Sequence, residues 1–481
     1  MSPQKGAGWG IAQTSRNVRL MSTLMPWNRG LTRRSLLAGG AGLMALSTLG
    51  ACAAPGSGGA ASGTSESGAS ASGASTRGLR VAEDGRHLLT GSGEPLFVVA
   101  DTGWALMSGV SVEDAKTYVR MRRDQGFNTV MANLLPFSRV EETIRGVPFE
   151  GAGDLTRPRE EWFAGCDEII EYARSIDMYL GLGLLWSTNN GGRVGGTAPT
   201  DEELTVYGTF IGERYHSVDN AWFYVGGDDD PVASAPPADV LGRALKTARP
   251  DAVVTFHTWN KAPAAMEWDW LDFYAYQWNS NSSPFPYEDV RETLDYEPRR
   301  PAFSMEPPYD PSTCCGDDRN TTPQKNRRSG WWAALSGALG VAYGGPRTTW
   351  NMGEDTGSLV VEDIERPQAR QTALIGQLLS EYRWPLLVPD WDADVLVGDR
   401  GDHGSDDFAM AAAASDGSVV IAYTPVARDL TVDLTSVGGR GSGRWFDPAS
   451  GDAVGSAQPG EGTTTFTNPL SEDAVLVVEP G

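Results

Sequence analysis

Ala221-Trp222-Phe223-Tyr224-Val225-Gly226-Gly227-Asp228 is an unbroken apolar run closed by two glycines and a carboxylate. A short continuous apolar run bounded by a turn signal reads as a strand buried on both faces, as in a parallel sheet. The glycines allow a tight turn and expose Asp228 at the rim of the strand. On the N-terminal side, apolar runs at 96–100, 127–135 and 178–186 read as strands. Helical patterns at 112–125, 160–176 and 201–215 alternate with them. On the C-terminal side, strands are predicted at 252–257, 271–277, 302–305 and from 340 towards 350, with helices at 239–248 and 328–340. Eight strands alternating with helices predict an α/β chain, a (β/α)8 TIM barrel over residues 78–391. The alternative, a doubly wound sheet, is disfavoured because no glycine-rich phosphate loop follows any strand.

In such a barrel the loops after the strand ends form the catalytic face. Those ends carry Asp101 and Trp104, Asn133, Trp186, Asp228, His257 with Trp259, Tyr276 with Gln277, Glu306, and Trp350. Polar and aromatic groups at successive strand ends are the pattern of a ligand site. Asp228 and Glu306 are the candidate catalytic pair, and Asp101, Trp104, Asn133, Trp186, His257, Tyr276, Gln277 and Trp350 are candidate substrate contacts. Strands four and seven lie across the mouth from one another, and Pro307-Pro308 stiffens the exit from Glu306. Two opposed carboxylates are what glycoside hydrolysis requires: one protonates the leaving oxygen, the other attacks the anomeric carbon. Asp229 and Asp230 crowd Asp228, and like charges raise the pKa of one member, as suits a general acid. The three adjacent acids lack the alternate spacing of a calcium loop, so no metal is predicted there. The chain contains no G-x-G-x-x-G, Walker A, G-x-S-x-G or H-E-x-x-H motif, and no cofactor is predicted.

The motifs Asp101-Thr102-Gly103-Trp104, Gly126-Phe127-Asn128-Thr129-Val130, Tyr207-Gly208 with Gly212-Glu213-Arg214-Tyr215, Gly226-Gly227-Asp228, Tyr276-Gln277 and Met305-Glu306-Pro307 occur in this order over about 270 residues. Together they resemble the apiosidase-like glycoside hydrolases. The resemblance implies a (β/α)8 barrel, with Asp228 as acid/base and Glu306 as nucleophile. From residue 392 to 481 the pattern changes to short strands separated by Gly, Asp-Gly and Pro turns, which predicts a small antiparallel β-sandwich. This part resembles the module that accompanies apiosidase-like domains under a collagen-binding label. Nothing in its residues points to collagen, and a support domain packed on the barrel or a weak sugar binder fits them better.

The first 52 residues read as an export signal. Arg33-Arg34-Ser35-Leu36-Leu37 precedes the apolar run 38–49, and Leu49-Gly50-Ala51-Cys52 follows. The twin arginine resembles a Tat signal, and the second motif resembles a lipobox in which Cys52 becomes the lipidated first residue. Residues 53–77 form a linker; Gly, Ser and Ala fill 18 of the 23 positions from 55 to 77, too little apolar surface to offset ordering. The expected location is therefore the outer face of the cell membrane, with a lipid anchor on Cys52. Beyond residue 77 the chain has 32 basic against 61 acidic residues, a balance of −29 that repels nucleic acid. Sixteen Trp against four His suits sugar stacking better than metal chemistry. The expected partner is an oligo- or polysaccharide of plant or microbial origin, cleaved by an exo-acting enzyme, with furanosides such as apiose or arabinose as candidates. The alternative is a non-catalytic glycan-binding lipoprotein, and the presence of both carboxylates favours the enzyme. Cys314 and Cys315 are adjacent and, with Cys166, leave three thiols that cannot all pair within one chain.

Overall fold

The structure is a computed structural model. It describes residues 78–137, 139, 141–186, 198–227, 231–258, 267–277, 285–310, 322–353 and 357–481. The twin arginine, Cys52, the 53–77 linker, Asp228, Trp259, Cys314 and Cys315 lie outside the described residues.

Eight parallel strands form the barrel: Val98–Thr102, Thr129–Asn133, Tyr179–Gly183, Ala221–Gly226, Val254–His257, Phe273–Gln277, Ala302–Glu306 and Gly340–Tyr343. Strands one to seven each pair with the next in chain order, and strand eight pairs with strand one. Strands seven and eight complete the ring through Leu339 N–H to Ala302 O at 2.9 Å and Asp310 N–H to Gly344 O at 2.8 Å. The expected (β/α)8 architecture is therefore present.

The helices form where the sequence offers start signals and an apolar stripe. Helix α1 (Val112–Asp124) is capped by Ser111, whose hydroxyl accepts from Asp114 N–H, and it buries Ala115, Tyr118 and Val119 against the sheet. Helix α2 (Glu160–Ser175) buries Trp162, Phe163, Ile169 and Ile170. Helix α3 (Asp201–Arg214) opens with a capping box between Thr200 and Glu203. Helix α4 runs from Pro231 to Ala248, longer than the expected 239–248; Pro231 needs no N–H in a first turn, and Pro236 and Pro237 lie within the added stretch. Helix α5 (Pro286–Leu294), only nine residues long, was not expected. Helix α6 (Pro323–Leu335) begins and ends earlier than predicted, capped by Thr322 and stopped before Gly337.

Within each strand the side chains alternate between two cores. Val98, Ala100, Met131, Trp222, Tyr224, Phe273, Ala275, Phe303, Met305 and Ala342 fill the barrel; Leu79, just before the first of three short preceding strands, and Leu88 and Leu96 from the other two lie in the same cluster. The outward residues pack under the helices, and that core continues into the C-terminal module through Phe408, Met410, Ile421, Tyr423, Val475 and Val477.

The module is a six-stranded antiparallel sheet backed by a two-stranded one, Leu430–Asp433 with Thr463–Phe466. Its edge strand Leu387–Pro389 pairs with Met410–Ala414, so the sheet starts five residues before the expected boundary at 392. The other edge strand, Ala453–Glu461, was not anticipated; it carries Gly455, Pro459 and Gly460, and a proline is tolerated only on such an edge. Helix α6 is the main seam with the barrel. Trp331 stacks on Tyr423 at 5.9 Å, Trp332 Nε1 donates to Phe408 O at 2.9 Å, and Arg327 grips Asp473 with two hydrogen bonds.

Candidate active site

Strand four sets the floor of the site. Trp222 and Tyr224 point into the barrel, and Gly181 and Gly183 on strand three make room for them. A Cβ at Gly181 would lie 2.4 Å from Trp222 Cζ2, and one at Gly183 would lie 2.4 Å from Tyr224 Cζ. Tyr224 donates its hydroxyl to Asn133 Oδ1 at 2.7 Å, which fixes the amide at the end of strand two. Burial, then the charge of Glu306, push the Tyr224 phenol well above its ordinary pKa, so it remains a hydrogen-bond donor.

The glycine pair after strand four is required by its surroundings. Gly226 has φ +84°, and a Cβ there would meet the His257 carbonyl oxygen at 2.4 Å. A Cβ on Gly227 would sit 2.4 Å from the Trp186 indole. The backbone leading to Asp228 is thus pressed between strand five and Trp186.

Glu306 lies at the centre of the described site. Strict alternation in strand seven, with Phe303 and Met305 inward, would turn it out of the barrel. The register against strand six shifts between Ser304 and Glu306, so that Glu306 pairs with Gln277 and its carboxylate enters the mouth. His257 Nε2 lies 3.1 Å from Glu306 Oε2, and an ionised carboxylate there requires the hydrogen on Nε2. Tyr309 donates its hydroxyl to Glu306 Oε1 at 2.8 Å and accepts from Trp104 Nε1 at 2.6 Å. Both carboxylate oxygens are therefore held.

Aromatic rings wall this carboxylate. Trp104 and Trp186 lie 5.3 Å apart, and His257 sits 5.9 Å from Trp104 and 5.5 Å from Trp186. Phe137 bridges Trp186 and Trp350, and Trp350 meets Tyr309 at 5.9 Å. Asn133 Nδ2, Trp186 Nε1, His257 Nδ1, Gln277 Oε1 and Trp350 Nε1 are buried atoms without a hydrogen-bond partner. Each such atom costs about 1–3 kcal/mol unless something pairs with it. These five atoms at one end of the barrel are donors and acceptors of the kind a hydroxyl-rich ligand would pair with.

Two expected substrate contacts are not brought to this cluster. Asp101 points outward because Val98 and Ala100 on the same strand point inward. Its carboxylate accepts from Tyr118 at 2.5 Å and pairs with Arg122 at 3.1 Å, all of it buried. Tyr276 likewise points outward and packs with Val290, Ala302 and Ala333 beneath the helices. A position at a strand end does not by itself choose a face. Conversely, Tyr309 and Phe137 belong to the site without having been singled out from sequence. The available signal was an aromatic three residues after Glu306, beyond the Pro-Pro turn. Among the described residues, no three His, Cys, Asp or Glu side chains converge as metal ligands.

The profile of the family described as "Apiosidase-like, catalytic domain" matches residues 82–385. The chain belongs to the apiosidase-like family. It is accordingly a glycosyl hydrolase with a carbohydrate substrate. A second profile, "Putative collagen-binding domain of a collagenase", matches residues 388–479. Among solved structures, the apiosidase-like chain superposes on a glycoside hydrolase with TM-score 0.73 and 20% identity, covering 85% of this chain and 98% of the other. A glycoside hydrolase family 5 structure from Bacteroides vulgatus ATCC 8482 gives TM-score 0.72 and 22% identity, with coverages of 84% and 93%. At such identities the likeness is one of fold. A search of curated proteins finds no match.

Proposed function

We propose that this glycosyl hydrolase is a retaining exo-glycosidase of the cell surface, acting on plant or microbial glycans, with terminal furanosides such as apiose or arabinose as the preferred class. The observation that carries the reading is the Glu306 carboxylate, held on one oxygen by His257 and on the other by Tyr309 within an aromatic mouth. In the proposed double displacement, Glu306 attacks the anomeric carbon while Asp228 protonates the departing oxygen. A water activated by Asp228 then releases the sugar. Retention requires the two carboxyl groups to stand about 5–5.5 Å apart. Screening residues 78–481 against p-nitrophenyl furanosides and pyranosides, with cell-wall polysaccharides alongside, tests the class of sugar. Turnover is expected on an aryl furanoside and should fall to near background in Glu306→Gln. A fully active Glu306→Gln, or inversion at the anomeric carbon, overturns the reading.

The surface location rests on Arg33-Arg34, the apolar run and Cys52, followed by the Gly/Ser/Ala linker. Cys52→Ala is expected to release the protein from the membrane fraction or to leave it unprocessed. Replacing Arg33 and Arg34 by Lys should block export. Unchanged membrane retention of Cys52→Ala would refute the anchor.

A further inference from the structure

We infer that Tyr309 is the positioning residue that holds the nucleophile, and that Trp104 acts through it. The inference rests on the reading of Glu306 as nucleophile. The Tyr309 oxygen already accepts the Trp104 indole N–H at 2.6 Å, so its own hydrogen is committed to Glu306 Oε1 at 2.8 Å. Hydrogen bonds in such a chain polarise and strengthen one another. The segment carrying Tyr309 is braced from behind. Tyr309 forms a parallel bridge with Gly344, and the Asp310 carboxylate takes Arg366 Nε at 3.1 Å and the Tyr343 hydroxyl at 3.3 Å. Asp101, three residues before Trp104 in the chain, is held by a network that meets this one at Tyr343: Arg122 pairs with Asp101 and lies over the Tyr343 ring at 5.4 Å. Two ion pairs behind strands one and eight therefore flank the segments that carry Trp104 and Tyr309. Among the described residues, the titratable groups packed around Glu306 are His257 from strand five, Tyr224 from strand four and Tyr309 itself.

The chemistry gives this hydrogen bond a distinct signature. In the first step a Glu306 oxygen bonds to the anomeric carbon as the bond to the leaving oxygen breaks, and that oxygen takes the proton of Asp228. In the second step water adds to the anomeric carbon, its proton goes to Asp228, and Glu306 departs as a carboxylate. Tyr309 transfers no proton; it stabilises the charged carboxylate more than the ester. Losing its hydroxyl raises the acid limb of kcat/KM and slows the departure of Glu306.

The test uses Tyr309→Phe in residues 78–481 with the aryl glycoside that the wild type turns over fastest. The acid limb of kcat/KM is expected to rise by about one pH unit, the worth of a hydrogen bond to a charged group. Both kcat and KM should fall together as the glycosyl-enzyme accumulates, giving a larger pre-steady-state burst. Trp104→Phe should raise the limb in the wild type but add nothing in the Tyr309→Phe background, the non-additivity of a shared chain. An unmoved limb and burst in Tyr309→Phe, with Glu306→Gln inactive, overturns the role of Tyr309 alone. Additive limb shifts overturn the chain through Trp104. A fully active Glu306→Gln overturns the underlying assignment and this proposal with it.

Discussion

Asp228 and Glu306 carry different duties in the proposed reaction, and the leaving group tells them apart. Asp228→Asn removes the proton donor, which matters most when the departing oxygen is a sugar alkoxide. An aryl glycoside with an acidic phenol leaves without that help. Turnover of a natural glycan is therefore expected to fall by about 10²–10⁴-fold, the usual worth of general acid catalysis, with a much smaller effect on glycosylation by the aryl substrate. Azide should restore turnover of Asp228→Asn once deglycosylation limits the rate, because a small anion needs no general base. Glu306→Gln should lose both substrates alike. Equal losses in the two variants on both substrates would contradict this division. Steady-state and single-turnover rates on an aryl and a natural substrate provide the comparison.

Among the elements, strand four is tightly constrained on both sides. Its inward rings demand glycine on strand three, and its exit demands glycine at 226 and 227. Gly226→Ala would place a Cβ at φ +84° against the His257 carbonyl. The left-handed backbone alone costs a residue other than glycine about 1–2 kcal/mol, before the clash is counted. A lowered Tm together with loss of activity is expected, because relief of the clash must move either His257 or the approach to Asp228. A variant with wild-type Tm and wild-type kcat/KM would show that the turn tolerates a side chain. Strand seven presents the complementary case. A one-residue register shift carries Glu306 from the helix-facing side into the mouth, so activity depends on pairing as much as on residue type.

At the scale of the whole molecule, the barrel and the C-terminal module share one apolar core. Helix α6 follows the Glu306 segment, and its Trp331 and Trp332 are covered by Tyr423 and Phe408 of the module. The module is therefore a structural part of the enzyme. Residues 78–386 produced alone are expected to aggregate or to lack a cooperative thermal transition; a soluble, cooperatively folded and active fragment would show the reverse. Asp473→Ala would leave Arg327 buried without its carboxylate. Breaking such a pair costs about 3–5 kcal/mol, to be read as a lowered denaturant midpoint in the full 78–481 protein. Arg327→Met with Asp473→Leu should recover most of that loss, because the pair is then replaced by apolar packing.

The sequence by itself determined the order of strands and helices, the barrel, and the gathering of Trp104, Asn133, Trp186, His257 and Glu306 at one end. These follow from local patterning, and parallel strands joined by helices present all their C-terminal ends on the same side. The tertiary structure decided which of the strand-end residues turn inward. Asp101 and Tyr276 were placed outside by the alternation of their own strands, and Glu306 was placed inside only by the register of strand seven against strand six. It also selected Tyr309 as the partner of Glu306, and Leu387–Pro389 as the edge of the second domain. The physical reason is common to all of these. A strand's tendency to form lies within a few residues, whereas its register, its partner and the face it presents depend on chain far away in sequence.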